Sequence, residues 1–132
     1  VTSPLVFFAI ALAGGLGAAL RLVVDGLVRS VVSRPGRPRA LAGFPVGTAV
    51  INVTGSFALG LLTGLAASHG LPREWLLIAG GGLVGGYTTF STASVETVRL
   101  LLEGRWRAGL LNGGGVLVLS VGAALLGLVV GG

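Results

Sequence analysis

Long apolar runs interrupted by short polar, glycine- and proline-rich stretches divide the chain into four segments, each of the length needed to cross a bilayer. The first runs from about Pro4 to Val32, with Pro4 at a helix start where its missing N–H is harmless. Ser33 to Gly43, with its prolines, glycines and arginines, is a connection outside the hydrocarbon. The second span covers about Phe44 to Ala67, and a short turn, Ser68 to Arg73, leads into the third, Glu74 to roughly Leu102. Glu103 to Arg107 is a compact connection with Trp106 at the interface, and the fourth span covers about Ala108 to Val130. The pattern predicts an all-α membrane protein of four transmembrane helices forming a single domain over 1–132.

The polar positions inside these runs recur at helical spacing. Gly14, Ala18, Arg21 and Asp25 share one face of the first span, small at one end and charged at the other. Arg21 either pairs with Asp25, snorkels to the interface, or lines an anion entrance. Thr48, Asn52, Ser56, Gly60 and Gly64 form a polar and small stripe on the second span. Gly60 and Gly64 make a GxxxG pair suited to close packing, and Asn52 serves as interhelical glue or as a donor to a permeating solute. On the fourth span Asn112 and Ser120 are the polar stations, with Val116 and Ala124 on the same face. Glu96 caps the interface, pairs with Arg99, or has a functional role; His69 reads as solvated.

The third span contains the most unusual stretch, Gly80-Gly-Gly-Leu-Val-Gly-Gly-Tyr-Thr-Thr-Phe-Ser-Thr92. Unpaired backbone in hydrocarbon costs several kcal/mol per group, yet Gly85 and Gly86 permit unwinding and Thr88, Thr89, Ser91 and Thr92 offer partners to the groups released. The third helix is therefore expected to break mid-membrane at residues 85 to 89. Carbonyls would end its first half and free N–H groups would open its second, a place able to hold an ion.

Composition sharpens this picture. Of 132 residues, 53% are hydrophobic and 10% charged, 25 are glycine, none is cysteine, and mean hydropathy is +0.98. Disulfides and thiolate metal sites are excluded, and one histidine builds no metal site alone. The N-terminus lacks the basic region and small-residue cleavage site of a cleaved signal peptide. Nine basic residues, all arginine, flank the spans instead of forming a nucleic-acid face. Arg29, Arg34, Arg37, Arg39, Arg99, Arg105 and Arg107 border the first and third connections, whereas the second holds Arg73. Positive charge favours the inside, which predicts a multi-pass protein of the cell membrane with both termini outside. The glycine run lacks the lysine of a phosphate loop, Gly14-Gly15-Leu16-Gly17 lacks a βαβ context, and no carboxylate pair or Ser/His/Asp grouping is assembled. An enzyme is not expected.

Three blocks stand together: Gly14-Gly-Leu-Gly-Ala-Ala-Leu-Arg21, Gly47-Thr-Ala-Val-Ile-Asn-Val-Thr-Gly-Ser-Phe57 and Gly85-Gly-Tyr-Thr-Thr-Phe-Ser-Thr92. In order and separation they resemble the Fluc (CrcB-type) fluoride channel family over the whole chain. The resemblance implies an antiparallel dimer with two fluoride pores, exporting fluoride passively from the cytoplasm. It also implies a structural sodium ion (Na+) held by backbone carbonyls of Gly85 and Thr88 from each subunit. By position it makes Asn52 the pore asparagine, Arg21 the entrance arginine, Phe90 a pore phenylalanine and Ser120 a hydroxyl on the fourth-helix track. Thr48, Ser91 and Thr92 join them as hydroxyl donors, since a dry pore must replace the water of fluoride with N–H and O–H groups.

Three positions depart from the family pattern. Ala93, Val116 and Ala124 stand where a second phenylalanine, a tyrosine and a second track hydroxyl belong. With the arginine asymmetry, this favours pairing with a related subunit of opposite orientation over pairing with an identical copy. Two other readings compete. A small multidrug-type transporter needs a carboxylate deep in an early helix, and positions 5 to 20 hold none. A non-conducting membrane packing subunit of a heterodimer would account for the glycine stripes and leave the hydroxyl-rich stretch unexplained.

Overall fold

The computed structural model describes residues 2–132 and is built of helices, with no strand among the described residues. Helix α1 spans Pro4–Val32, opened by Ser3, whose hydroxyl accepts the Val6 N–H at 3.3 Å. After the connection and a 3₁₀ turn at Arg39–Leu41, α2 spans Val46–His69 and stops at Gly70, in the left-handed conformation at φ 64°. Helix α3 runs over 73–87 as an α-helical turn, a widened π-helical stretch at Leu76–Val84, and a last turn at Gly85–Tyr87. Helix α4 spans Phe90–Leu102. Helix α5, Trp106–Gly131, is also π-helical at Leu111–Gly115. Three helices, α1, α2 and α5, are each long and apolar enough to cross a membrane, and α3 and α4 follow one another in the remaining apolar segment.

Glycine decides how these helices meet. Helices α2 and α5 pack at backbone distance along Gly60, Gly64, Gly127 and Gly131. A methyl at Gly60 would strike the Ala124 carbonyl, and one at Gly127 the Phe57 carbonyl. The GxxxG reading of Gly60 and Gly64 is thus a packing seam, with a second pair on α5 completing it. A similar seam joins α1 to α3, where a methyl at Gly17 would meet the Leu83 carbonyl and one at Gly86 the Gly14 carbonyl. Gly82 belongs to the same seam, a methyl there lying 2.8 Å from the Ile10 carbonyl.

The side chains that face outward are largely apolar, including Phe7, Phe8, Leu12, Leu22, Leu117 and Val129. In a water-soluble protein this surface would be untenable; on a protein with membrane-length helices it is suited to the apolar interior of a membrane. The chain is a multi-pass membrane protein.

Candidate functional site

Helix α3 ends at Tyr87, and Thr88 and Thr89 are extended at φ −77°, ψ 161° and φ −151°, ψ 121° before α4 begins at Phe90. Gly85 and Gly86 are not where the chain unwinds; Gly85 keeps helical angles of φ −60°, ψ −39°. The physical reason is packing. Gly86 lies against the Gly14 backbone in the α1 seam, a contact that an unwound residue would forfeit.

Three of the four backbone groups of the two extended threonines are satisfied from α1 and α2, and the fourth, the Thr88 N–H, from α3 itself. The Asn52 side chain grips Thr89 twice: Asn52 Nδ2 donates to the Thr89 carbonyl at 2.8 Å, and the Thr89 N–H donates to Asn52 Oδ1 at 2.8 Å. An amide side chain here imitates a neighbouring strand. The Thr88 carbonyl accepts from Arg21 Nη1 at 3.3 Å, and the Thr88 N–H and hydroxyl both donate to the Val84 carbonyl, at 2.9 and 3.0 Å. Because the Thr89 N–H turns to Asn52, it no longer serves the Gly85 carbonyl one turn earlier.

Thr89 also starts the next helix. Its Oγ1 accepts the Thr92 N–H at 3.2 Å, an N-cap, while its hydroxyl donates to Thr92 Oγ1 at 3.0 Å. The first N–H groups of α4 point into the gap, at the positive end of the helix dipole. A further bond ties the end of α3 to α2, between the Thr54 hydroxyl and the Tyr87 phenol at 3.0 Å.

Two cavities flank this gap, with Thr89 in the wall of both. The larger, about 570 Å³, gathers Asn52, Gly85, Thr88, Phe90 and Ser120. The smaller, about 350 Å³, gathers Arg21, Thr48 and Thr92. Ser91 is exposed and lines neither. Phe90 is 85% exposed, so most of its ring extends beyond this chain's own surface.

Several pairings differ from the simplest reading by sequence spacing. Asp25 pairs with Arg29 at 2.8 Å, one turn forward, which leaves Arg21 to reach Thr88. Glu96 accepts the Thr48 hydroxyl at 3.1 Å through Oε1, and its Oε2 is buried without a partner. Asn112, 2% exposed, donates through Nδ2 to the Ala93 carbonyl at 3.2 Å and to Thr97 Oγ1 at 2.9 Å, so it binds α5 to α4. Ser120 Oγ is buried with no partner, a free hydroxyl in the wall of the larger cavity. Thr89 itself was visible only as one hydroxyl among several. Its role depends on Asn52, which stands 37 residues away.

A multi-pass helical membrane protein in which a gap is clamped by a side-chain amide and set between two largely apolar cavities with a few polar groups in their walls is of the class that handles ions or small polar solutes inside a membrane. Residues 8–131 match the family described as CrcB-like protein, Camphor Resistance (CrcB), and the chain belongs to that family. It is 58% identical over 130 residues to fluoride-specific ion channel FluC 1 of Leifsonia xyli subsp. xyli, covering 98% of this chain and 89% of that protein. It is 46% identical over 127 residues to fluoride-specific ion channel FluC 2 of Mycolicibacterium paratuberculosis, covering 96% and 94%. It is 42% identical over 124 residues to fluoride-specific ion channel FluC of Magnetococcus marinus, covering 92% and 94%. The family is one of ion channels, and the chain is not an enzyme.

Proposed function

We propose that this chain is a subunit of a fluoride channel of the cell membrane, letting fluoride leave the cytoplasm passively and so relieving its toxicity. The observation that carries this reading is the gap at Thr88–Thr89, gripped by Asn52 and bordered by hydroxyls, in a chain whose relatives bear the name of fluoride channels. In this reading α3 and α4 form one transmembrane helix broken mid-membrane, and the whole chain is a single membrane domain of four spans. Asn52 retains one amide hydrogen after its bond to Thr89, and that hydrogen, the Ser120 hydroxyl and the hydroxyls of Ser91 and Thr92 are the donors offered to a dehydrating anion, whereas Thr48 gives its hydroxyl hydrogen to Glu96 and serves only as wall of the smaller cavity. Arg21 attracts the anion at the entrance, and the weakly positive edge of Phe90 faces it. Termini lie outside, with the arginine-rich connections in the cytoplasm.

The working unit in this reading is an antiparallel dimer, formed with an identical copy or, favoured by the arginine asymmetry, a related subunit of opposite orientation. The exposed ring of Phe90 supports a partner that completes its surroundings. A structural sodium ion at the dimer centre fits the oxygens present. The Gly85 carbonyl has lost the Thr89 N–H, and the Thr88 carbonyl keeps a second lone pair beside its bond from Arg21. Such hard oxygens suit a hard cation, which would balance the negative ends of two facing α3 helices. Two carbonyls from one chain leave such an ion largely hydrated, so the matching pair must come from the partner.

A fluoride electrode reading on proteoliposomes tests this. Fluoride release from vesicles containing the chain, alone or with a related subunit of opposite orientation, is expected, and chloride should be excluded. Absence of flux in both preparations, with protein inserted and folded, would leave the packing-subunit reading in its place. A small multidrug-type transporter is tested in the same vesicles by proton-driven uptake of an organic cation, which is not expected.

A further inference from the structure

Seven arginines collect at one end of the molecule: Arg29 in the last turn of α1 with Arg34, Arg37 and Arg39 after it, and Arg99 in the last turn of α4 with Arg105 and Arg107 around the start of α5. The two connections that carry them meet, since a methyl built at Gly43 would lie 2.7 Å from Arg105 Nη1. A cavity of about 590 Å³ opens between them, with Arg34, Arg37, Arg39 and Arg99 in its wall. Two carboxylates also line it: Asp25 holds Arg29 at 2.8 Å, and Glu96 accepts the Thr48 hydroxyl at 3.1 Å through Oε1 while its Oε2 has no partner. Among the described residues the other four arginines have no ion-pair partner. Arg34, Arg37 and Arg39 are exposed, spaced along a connection whose Pro35, Gly36 and Pro38 keep it from continuing the helix.

We propose that this cavity binds the phosphate-bearing headgroup of an anionic glycerophospholipid. Guanidinium forks match phosphate oxygens in pairs, and four uncommitted forks around one cavity are an excess that the chain's own carboxylates do not neutralise. The neighbouring surface selects lipid over soluble phosphate. At the same end Leu27, Val31 and Leu102 are exposed, and Trp106 is exposed with the Arg107 guanidinium 5.3 Å from its ring centre. Acyl chains lie along that apolar flank while the phosphate reaches up to the arginines, as basic pockets at membrane surfaces allow. The opposite end has only Arg73, beside Glu74. Lipid binding here depends neither on fluoride conduction nor on which leaflet the cavity faces.

Native mass spectrometry and thermal unfolding of the purified chain in detergent test it, with phosphatidylglycerol, phosphatidylcholine and inorganic phosphate as probes. Phosphatidylglycerol should remain bound and raise the unfolding midpoint, while phosphatidylcholine and inorganic phosphate should do neither. The combined variant Arg34→Gln, Arg37→Gln, Arg39→Gln should bind phosphatidylglycerol about a hundredfold more weakly, three surface charges being lost. Arg73→Gln at the other end should bind as the parent does. If the triple variant fails to fold, Arg37→Gln alone serves, with an expected loss of about fivefold. Undiminished binding in a folded variant, or equal binding of phosphatidylcholine, would overturn the site. Stabilisation by inorganic phosphate alone would reassign it to a soluble anion. Fluoride flux that falls in the variant while lipid binding is unchanged would instead make the arginines part of the ion path.

Discussion

Asn52 carries more of this molecule than its size suggests. Its amide meets both backbone groups of Thr89 at 2.8 Å, so truncation strands a donor and an acceptor at a buried position. Asn52→Ala should lower stability by roughly 2–4 kcal/mol, reckoned at about 1–3 kcal/mol for each stranded group with partial relaxation. The check is the thermal midpoint in detergent together with faster amide exchange at Thr89. Asn52→Asp keeps the acceptor for the Thr89 N–H but turns a carboxylate oxygen toward the Thr89 carbonyl, so fluoride flux should collapse. Flux equal to the parent's would remove Asn52 from the conducting path. Thr89→Ala deletes the cap of α4, for which about 0.5–2 kcal/mol is expected in the same unfolding measurement. Sequence spacing placed Arg21 and Asp25 on one face, yet Asp25 chose Arg29, and Arg21 found the Thr88 carbonyl on another helix. Both arginines lie four residues from Asp25, but acid before base is the better order along a helix, which favours Arg29, and the arrival of α3 offers Arg21 the Thr88 carbonyl.

At the scale of elements, the apolar run read as about Pro4 to Val32 contains helix α1, Pro4–Val32, because proline at the start and a polar cluster at the end punctuate it sharply. The interruption after α3 was legible as a region but not in its register. Glycine propensity points to positions 85 and 86, whereas the backbone opens at 88 and 89, where Asn52 waits to receive it. Close packing outweighed local freedom, since Gly86 is spent against α1. The same close approach yields a prediction for the other seam. Gly60→Val must drive its side chain into the Ala124 backbone, and Gly127→Val into that of Phe57. Each should part α2 from α5 and cost at least about 1–3 kcal/mol, seen as a lowered thermal midpoint, with a double variant worse than either. Gly26→Ala, with open space around it, should leave the midpoint unchanged or raise it. Contacts such as Thr48 with Glu96 and Asn112 with Thr97 are legible only once helices are placed, being 48 and 15 residues apart.

For the whole molecule, charge and apolar surface set expectations that a cysteine-free chain makes convenient to measure. Single cysteines introduced at Ser33 and at His69 should react with a membrane-impermeant thiol reagent from opposite sides, Ser33 from the cytoplasm, if all copies insert in one orientation. Mixed labelling at each position would mean that the chain inserts both ways and pairs with itself. An outward face of leucine, valine and phenylalanine defines the membrane class plainly. Lipid and a partner helix welcome the same side chains, so residue type alone does not mark where a partner would dock.

The hold of Asn52 on Thr89 is exerted on the main chain, and this separates two kinds of change at position 89. Replacing the side chain by a methyl, as in Thr89→Ala, trims a cap yet preserves the peptide that is grasped. Only an imino acid removes the hydrogen that Asn52 Oδ1 receives, so Thr89→Pro should unfasten the joint where Thr89→Ala or Thr89→Ser leaves it latched.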